Sequence, residues 1–151
     1  MSQPQEQGFA LDPRLAADTA FVADWQLSRV LLMDDARFPW LVLVPRRARL
    51  SELHELQGTE QILLLQEIND AMGLLRATVE VDKLNLGALG NIVRQLHVHV
   101  VARREGDAAW PGPVWGSGAA MRYEPAVRDR FIEQLRTARA PSTGPSVLIC
   151  S

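Results

Sequence analysis

The chain has 151 residues, of which 47% are hydrophobic, and this is enough to form one folded domain around a core. Sixteen basic and 18 acidic residues give a net charge of −2, so we expect no basic surface for nucleic acid. The single cysteine, Cys150, has no partner for an internal disulfide, which suits a reducing compartment. Without a secretion signal or an apolar run of membrane-spanning length, the sequence predicts a cytoplasmic protein that does not bind membranes.

The two ends of the chain differ in composition from the part between them. Residues 1–8 are rich in glutamine, and we expect them to be disordered. Residues 141–151 are rich in proline, serine and glycine, which predicts a flexible tail. No internal repeat or linker divides the rest, so we predict a single domain over residues 9–140.

The first third of the chain predicts one helix and two strands. Residues 12–24 carry a mildly helical pattern. Residues 26–33 and 40–44 are apolar strand candidates, and the polar segment between them ends in Pro39. Such a segment favours a hairpin-like connection, and Pro45 is expected to close the second strand.

The middle of the chain predicts two helices. Ser51 can cap a short helix that runs through Glu55, and Gly58 opens a long one. The long helix carries an apolar stripe at alternating three- and four-residue steps, which we expect to face a sheet or a partner helix. The members of this stripe are Leu65, Ile68, Met72, Leu75 and Val79.

The last third completes an α+β pattern. Residues 82–90 contain two glycines and an asparagine and are predicted to turn back into a strand over residues 92–102. Residues 107–118, rich in Trp, Pro and Gly, are predicted to be neither helix nor strand, and residues 125–138 form a final helix with Pro125 in its first turn. This order, with short connections, predicts an α+β domain with an antiparallel sheet.

The most informative segment is residues 95–103, where polar and aliphatic side chains alternate with the period of a β-strand. Gln95, His97 and His99 are therefore predicted to project from one face. The opposite face carries aliphatic side chains that point into a core: Leu96, Val98 and Val100. A strand that places three polar residues on one face gives up burial there in favour of chemistry or binding.

Three hypotheses account for His97 and His99. They can be inert histidines that are hydrogen-bonded within the fold. They can bind a metal ion, but Gln95 is a poor third ligand, His54 is the only other histidine, and Cys150 lies in the predicted tail. The third hypothesis is nucleophilic catalysis, in which a neutral imidazole attacks phosphorus while its second ring nitrogen holds a proton against an acceptor. A second imidazole on the same face can then contact the phosphoryl oxygens.

The stretch Gln-Leu-His-Val-His-Val-Val at residues 95–101 resembles the signature of the histidine triad (HIT) superfamily, His-φ-His-φ-His-φ-φ, where φ is apolar. Three further segments resemble that family in the same order along residues 20–118. They are the strand–turn–strand at residues 31–46, Asn85-Leu86-Gly87 followed by Gly90-Asn91, and the Trp110-Pro111-Gly112 element of the HINT branch.

The resemblance implies a five-stranded antiparallel sheet with two main helices, usually extended across a homodimer. It implies a nucleotide hydrolase or nucleotidyl transferase that acts at the α-phosphate of a small nucleotide, such as a dinucleoside polyphosphate or a nucleoside phosphoramidate. The nucleophile would be His97, which forms a covalent nucleotide intermediate, and His99 would contact the phosphate. No cofactor is required in the protein and no metal site is expected, although a polyphosphate substrate would bring Mg²⁺ with it.

Further binding residues follow from the resemblance. Asp34 matches the ribose-binding position, with Asp35 as a close competitor, and either aspartate can instead be an ordinary turn residue. The remaining candidates are predicted to touch the sugar or the phosphate or to close the site, with turn geometry or packing as the structural alternative: Asn85, Gly87, Gly90, Asn91 and Trp110.

The chain departs from the family pattern at two positions. Gln95 replaces the first motif histidine, so the catalytic set becomes Gln-His-His, and glutamine cannot shuttle a proton. Ile92 stands where the HINT and FHIT branches carry a Ser or Thr that assists the phosphate. These departures support an alternative function, a nucleotide-binding module with little or no turnover.

Overall fold

A computed structural model of the protein describes residues 8–139. Residues 1–7 and 140–151 lie outside the described residues. They include nearly all of the predicted N-terminal segment and the whole predicted tail, so the domain limits of 9–140 stay a prediction.

The described residues form a five-stranded antiparallel sheet in the spatial order β1-β2-β3-β5-β4. The expected α+β fold with a five-stranded antiparallel sheet is therefore confirmed. The strands are β1 (Thr19–Asp24), β2 (Ser28–Met33), β3 (Trp40–Pro45), β4 (Lys83–Gly87) and β5 (Val98–Arg103).

The β2–β3 pair forms as predicted from its apolar sequence. The two strands pair antiparallel from Ser28↔Pro45 to Leu32↔Leu41, and all six residues of β3 are buried. A continuous apolar run is expected for a strand that is covered on both faces. β3 lies in the centre of the sheet, so it places its side chains against both layers of the protein.

Two edge strands were not predicted. The helix expected over residues 12–24 ends after α1 (Pro13–Asp18), where Asp12 caps the helix by accepting a hydrogen bond from the Arg14 N–H, and β1 follows directly. Residues 82–90, expected to be a turn, contain β4. Both segments are short and partly exposed, so pairing with the neighbouring strand decides their conformation rather than their own weak patterns.

β5 begins at Val98 and not at residue 92, so the predicted start of this strand was wrong. The register of β3 with β5 extends only to the pair Leu43↔Val98. The N–H of Leu96 donates to the carbonyl of Leu50, in the loop before α2, instead of to a neighbouring strand. Residues 92–97 are thus a connection that leads into the strand and not part of the sheet.

Two main helices cover one side of the sheet, α2 (Gly58–Thr78) and α3 (Pro125–Ala138). The limits of α3 agree with the prediction, whereas the short helix before α2 spans Leu53–Glu55 and is preceded by Glu52 rather than Ser51 as its cap. Within residues 8–139, no helix is long and apolar enough to cross a membrane.

The buried face of α2 is rotated relative to the predicted stripe. Ile68 and Leu75 are buried, but Leu65 is 57% exposed. The rest of the buried apolar face is formed by Leu64, Ala71 and Leu74. These residues form the main core together with Leu96, Val98 and Val100, so the predicted core face of the histidine segment is confirmed.

A second apolar cluster lies on the other side of the sheet, away from α2 and α3. It contains Phe38, Trp40, Val42 and Val101, and Val114 from the segment after β5 packs on it. Because side chains alternate along β5, Val100 enters the main core while His99 and Val101 face this second cluster. The histidines therefore lie on the side of the sheet that the two long helices leave open.

A buried carboxylate fastens α2 to the turn between β1 and β2. Glu67 is only 2% exposed, and its two oxygens accept hydrogen bonds from the N–H groups of Leu27 at 2.8 Å and Ser28 at 3.0 Å. Burial raises the pKa of the Glu67 carboxyl, although these backbone amides stabilise its ionised form.

We expect Glu67→Ala to lower the free energy of unfolding by roughly 2–5 kcal/mol, because two buried N–H groups lose their acceptors. Glu67→Gln should lower it less, since its side-chain oxygen still accepts one of the two bonds. Urea denaturation followed by circular dichroism measures both changes, with the exposed Glu80→Ala as control. Equal losses for Glu67→Ala and Glu80→Ala would contradict the role of this carboxylate.

Candidate active site

A cavity of about 620 Å³ lies over the second apolar cluster, on the histidine side of the sheet. Its wall is built from the β2–β3 connection, the segment 89–93, the histidines and the β5–α3 loop, which we define as residues 104–124. Six of the candidate site residues line it: Asp34, Asp35, Gly90, Asn91, His97 and His99. Four candidates are not among its lining residues: Asn85, Gly87, Gln95 and Trp110.

The two histidines face the cavity side by side. Their ring centroids are 4.8 Å apart with an interplanar angle of 71°, and both side chains are largely buried. His99 lies in β5 opposite Val42 of β3 and Gly87 of β4, while His97 immediately precedes the strand. Their spacing of two residues keeps both rings on one side of the sheet, as the sequence predicts.

The ring of His97 is oriented by the main chain. Its Nδ1 lies 2.6 Å from the carbonyl oxygen of Gln95. A carbonyl oxygen can only accept, so this contact requires the proton on Nδ1. In the neutral ring the lone pair is then on Nε2, which is the arrangement that a nucleophilic imidazole needs.

His99 makes the opposite kind of hydrogen bond. The indole N–H of Trp40 donates to His99 Nδ1 at 2.9 Å. Burial, together with the neighbouring His97, lowers the pKa of His99 to about 4. Near neutral pH His99 is therefore an uncharged ring.

Gln95 does not join the histidines in the cavity. Its side chain accepts a hydrogen bond from the Asp12 N–H and donates one to the Ala10 carbonyl, each at 2.9 Å. This placement follows from the late start of β5, because strand alternation does not extend back to residue 95. The glutamine side chain thereby fastens residues 10–12 to the segment that leads into the histidines.

Asn85 and Trp110 lie around a buried arginine rather than in the cavity. Arg103 is 1% exposed and donates to Asn85 Oδ1 and to the Gly112 carbonyl, both at 2.9 Å. It also forms a bidentate ion pair with Asp107, and its guanidinium carbon lies 5.6 Å from the centroid of the Trp110 ring. These contacts bind the start of the β5–α3 loop to the sheet.

Gly87 provides space for a tryptophan. A Cβ atom at this position would lie 2.8 Å from Trp115 Cη2, closer than real side-chain contacts allow. The Trp115 ring instead packs edge-on against His99, with centroids 5.5 Å apart, and lines the cavity. Gly87 thus contributes to the site indirectly, by leaving room for the Trp115 ring.

Asp34 and Asp35 bind the end of the β5–α3 loop in different ways. Asp34 accepts from the Tyr123 N–H and from the Arg122 guanidinium, whose side chain is 61% exposed. Asp35 is nearly fully buried and accepts two hydrogen bonds from the Arg37 guanidinium. Although burial opposes ionisation, the bonds from Arg37 and from the Met121 N–H lower the pKa of Asp35.

Sequence reasoning missed several residues of the site. Alternation from His99 places Arg103 on the same face, so strand period could have identified it. No comparable signal marks Trp40, Trp115, Arg37 or Arg122, because their positions depend on contacts between segments that are far apart in the chain.

The metal-site hypothesis lacks support in the part of the chain that the structure covers. Among residues 8–139, no three His, Cys, Asp or Glu side chains form a group that could hold a metal ion. His54, the only other histidine, is exposed in the short helix before α2.

Comparison with known proteins identifies similar chains. The sequence profile of the HIT domain matches residues 14–106. A histidine triad protein from Bradyrhizobium japonicum is 44% identical with a TM-score of 0.85, covering 87% of this chain and 98% of that one. A histidine triad protein from Sinorhizobium meliloti 1021 is 47% identical with a TM-score of 0.84, covering 88% and 98%.

A third crystal structure, of a histidine triad protein from Marinobacter aquaeolei VT8, is 40% identical with a TM-score of 0.83, covering 87% of this chain and 96% of that one. No curated protein matches this chain significantly.

The Arg103–Asp107 pair predicts a pH dependence of stability. Hydrogen bonds from Arg103 lower the pKa of Asp107 to about 2. Because the folded protein holds this proton less tightly than the unfolded chain, the pair stabilises the fold above the ordinary carboxyl pKa, and the contribution is lost as pH falls from about 4 to about 2. We expect a contribution of about 2 kcal/mol at neutral pH.

Urea denaturation at pH 6 and pH 3 should therefore show an acid-induced loss of stability that is smaller in Asp107→Asn. Asp129→Asn, at an exposed pair in α3, serves as the matched control. An NMR titration of the Asp107 carboxyl carbon measures its pKa directly, and a midpoint near 4 would contradict the prediction.

Proposed function

Because this chain belongs to the HIT domain family, we propose that it hydrolyses or transfers a small nucleotide at the α-phosphate through a covalent His97–nucleotide intermediate. Membership of the family supports a nucleotide-binding or hydrolase-type function. The proposed substrates are dinucleoside polyphosphates or nucleoside phosphoramidates.

The observation that carries the proposal is the orientation of His97. Its Nδ1 is engaged by the Gln95 carbonyl, so in the neutral ring the lone pair is on Nε2, and His97 lines the cavity. An imidazole is a good nucleophile in this form because no proton has to be removed before attack. His99 beside it presents a second ring to the phosphoryl oxygens.

The reaction then has two displacements at the same phosphorus atom. His97 Nε2 attacks the α-phosphorus, an N–P bond forms, and the bond to the leaving group breaks with its electron pair on the leaving atom. Water or another acceptor next attacks the phosphorus, the N–P bond breaks, and the neutral imidazole is restored. With water, the products are a nucleoside monophosphate and a proton released to solvent.

Of the two aspartates, we assign the ribose-binding role to Asp34. The Asp35 carboxylate is buried and already accepts bonds from Arg37 and from the Met121 N–H. Asp34 faces the cavity, and its ion-pair partner Arg122 is mostly exposed. A carboxylate has about four lone-pair sites, so Asp34 keeps capacity for a ribose hydroxyl.

A nucleotide-binding module with little turnover is the alternative function, and two observations favour it. The side chain of Gln95 is bound to residues 10–12, so the position of the first motif histidine supplies no group to the cavity. Ile92 lines the cavity and is 78% exposed, so a hydrocarbon side chain stands where other branches carry a hydroxyl.

The proposed chemistry uses side chains alone and requires no cofactor in the protein, while Mg²⁺ would accompany a polyphosphate substrate. The homodimer expected from the resemblance stays a prediction. β1 and β4 end the five-stranded sheet within the described residues, and either edge offers unpaired backbone groups to a second chain.

We expect His97→Ala to abolish both product formation and the covalent intermediate, because, of the two histidines that line the cavity, only His97 keeps its lone pair on Nε2. Purified protein is mixed with a dinucleoside tetraphosphate or adenosine phosphoramidate, and nucleoside monophosphate is measured together with the intact protein mass. A mass increment of one nucleotidyl group should appear in the wild type and be absent from His97→Ala.

The exposed His54→Ala is the matched control and should retain the wild-type rate. Saturable nucleotide binding without product and without adduct would select the binding module. Activity that survives in His97→Ala would exclude the covalent mechanism.

We expect Asp34→Asn to raise KM for ribonucleotide substrates about 10-fold, because one charged hydrogen bond to the sugar is weakened. A substrate that lacks the 2′ and 3′ hydroxyls should respond little to this change. Asp35→Asn should instead lower the thermal stability, since it disrupts a buried ion pair. Equal effects of Asp34→Asn on both substrates would rule out the sugar contact.

A further inference from the structure

We propose that Trp40 is a positioning residue that holds His99 as a neutral imidazole with its proton on Nε2, so that His99 donates a hydrogen bond to the phosphoryl group and does not act as an acid for the leaving group. The catalytic part of this inference rests on the proposed function. The part that concerns the state of His99 stands on the geometry of Trp40 alone.

The hydrogen bond between Trp40 and His99 determines which ring nitrogen of His99 is protonated. Trp40 Nε1 lies 2.9 Å from His99 Nδ1, and an indole nitrogen can donate but never accept. His99 Nδ1 must therefore keep its lone pair, and the ring proton is on Nε2. Protonation of Nδ1 would set two N–H groups against each other in a region where Trp40 is 6% and His99 is 5% exposed.

The position of Trp40 follows from the sheet register. In the β3–β5 pair, Val42 lies opposite His99 and Trp40 lies opposite Val101. Trp40 and Val42 share a face of β3, so the indole is a diagonal neighbour of His99 within reach of its ring. Trp115 closes the other side of the imidazole.

Within residues 8–139, no carboxylate is packed against His99 to stabilise a protonated ring. The facing residues are Val42 and Trp40 from β3, Gly87 from β4 and Trp115 from the β5–α3 loop, all uncharged, and the neighbouring titratable group is His97. The carboxylates of the cavity wall bond elsewhere: Asp34 to Arg122 and Tyr123, and Asp35 to Arg37 and Met121. Asp18 is exposed at the rim, and its backbone oxygen accepts from the Asp34 N–H.

The neutral state of His99 constrains the leaving group. When His97 Nε2 bonds to phosphorus, the departing atom takes the electron pair of the broken bond. A phosphate or polyphosphate departs as a stable oxyanion, whereas an amine has to gain a proton before its P–N bond breaks. A neutral imidazole donor is a poor source of that proton, so substrates with a P–O–P bond should react faster than those with a P–N bond.

The state of His99 can be measured without any substrate. In ¹⁵N-labelled protein, a scalar coupling across the Trp40 Nε1–His99 Nδ1 hydrogen bond and an unprotonated Nδ1 signal are expected. Trp40→Phe keeps an aromatic ring but removes the donor. Because this hydrogen bond stabilises the neutral ring, its loss should raise the pKa of His99 by about 1. Trp25→Phe, at a tryptophan buried in the main core, is the matched control.

Kinetics test the catalytic consequence. Adenosine diphosphate and adenosine 5′-phosphoramidate are compared at pH 7 in the wild type and in Trp40→Phe. In the wild type, kcat/KM should favour the P–O–P substrate by on the order of 10²-fold, the lower end of what a general acid contributes. In Trp40→Phe the preference should shrink, and the pH profile should gain the ionisation of His99.

Each outcome decides the inference. A proton on His99 Nδ1 in the wild type, or a pKa of His99 that is equal in Trp40→Phe and the wild type, overturns the role of Trp40. Equal rates on the two substrates overturn the leaving-group preference. If the NMR results are as expected but neither substrate yields an adduct or a product, the proposed function fails while the positioning of His99 by Trp40 stands.

Discussion

The guanidinium of Arg103 binds the loop after β5 to the sheet, and the walls of the cavity depend on this contact. It is 1% exposed and makes four hydrogen bonds, two to Asp107, one to Asn85 and one to the Gly112 carbonyl. Removing one partner of such a buried pair costs about 3–5 kcal/mol, because the remaining charge stays buried. β5 therefore contains both His99 and Arg103, and Arg103 holds the loop whose Trp115 packs against His99.

Because side chains alternate along the central strands, one face of the sheet packs into the main core and the other face carries the candidate site. Side chains on one face enter the core beneath α2 and α3, and those on the other face meet a second cluster of aromatic and aliphatic residues. His99 is placed in this second cluster, where burial makes its charged form costly. A ring that stays neutral can present a fixed hydrogen-bond donor, and this gives the cavity a polar group without a charge.

The aspartates at the end of β2 join parts of the chain that lie far apart in sequence. The N–H groups of Met121 and Tyr123 donate to Asp35 and Asp34, which fastens the end of the β5–α3 loop to the β2–β3 connection. The cavity is closed on this side before α3 begins. Both aspartates line the cavity, but Asp35 is ion-paired with the largely buried Arg37, whereas Asp34 is ion-paired with the mostly exposed Arg122. Two neighbouring residues of the same type thus acquire different environments.

The sequence by itself determined the elements with strong periodic or apolar patterns, namely β2, β3, α3 and the shared side of His97 and His99, since alternation fixes which face a side chain occupies. It also determined the family, through the motif at residues 95–101. Only the tertiary structure decided the conformation of weakly patterned segments and the hydrogen-bond partners of polar side chains. β1 and β4 became strands by pairing, Gln95 bonded to residues 10–12, and Trp40 reached His99 across the sheet, because each of these outcomes depends on a partner that is distant along the chain.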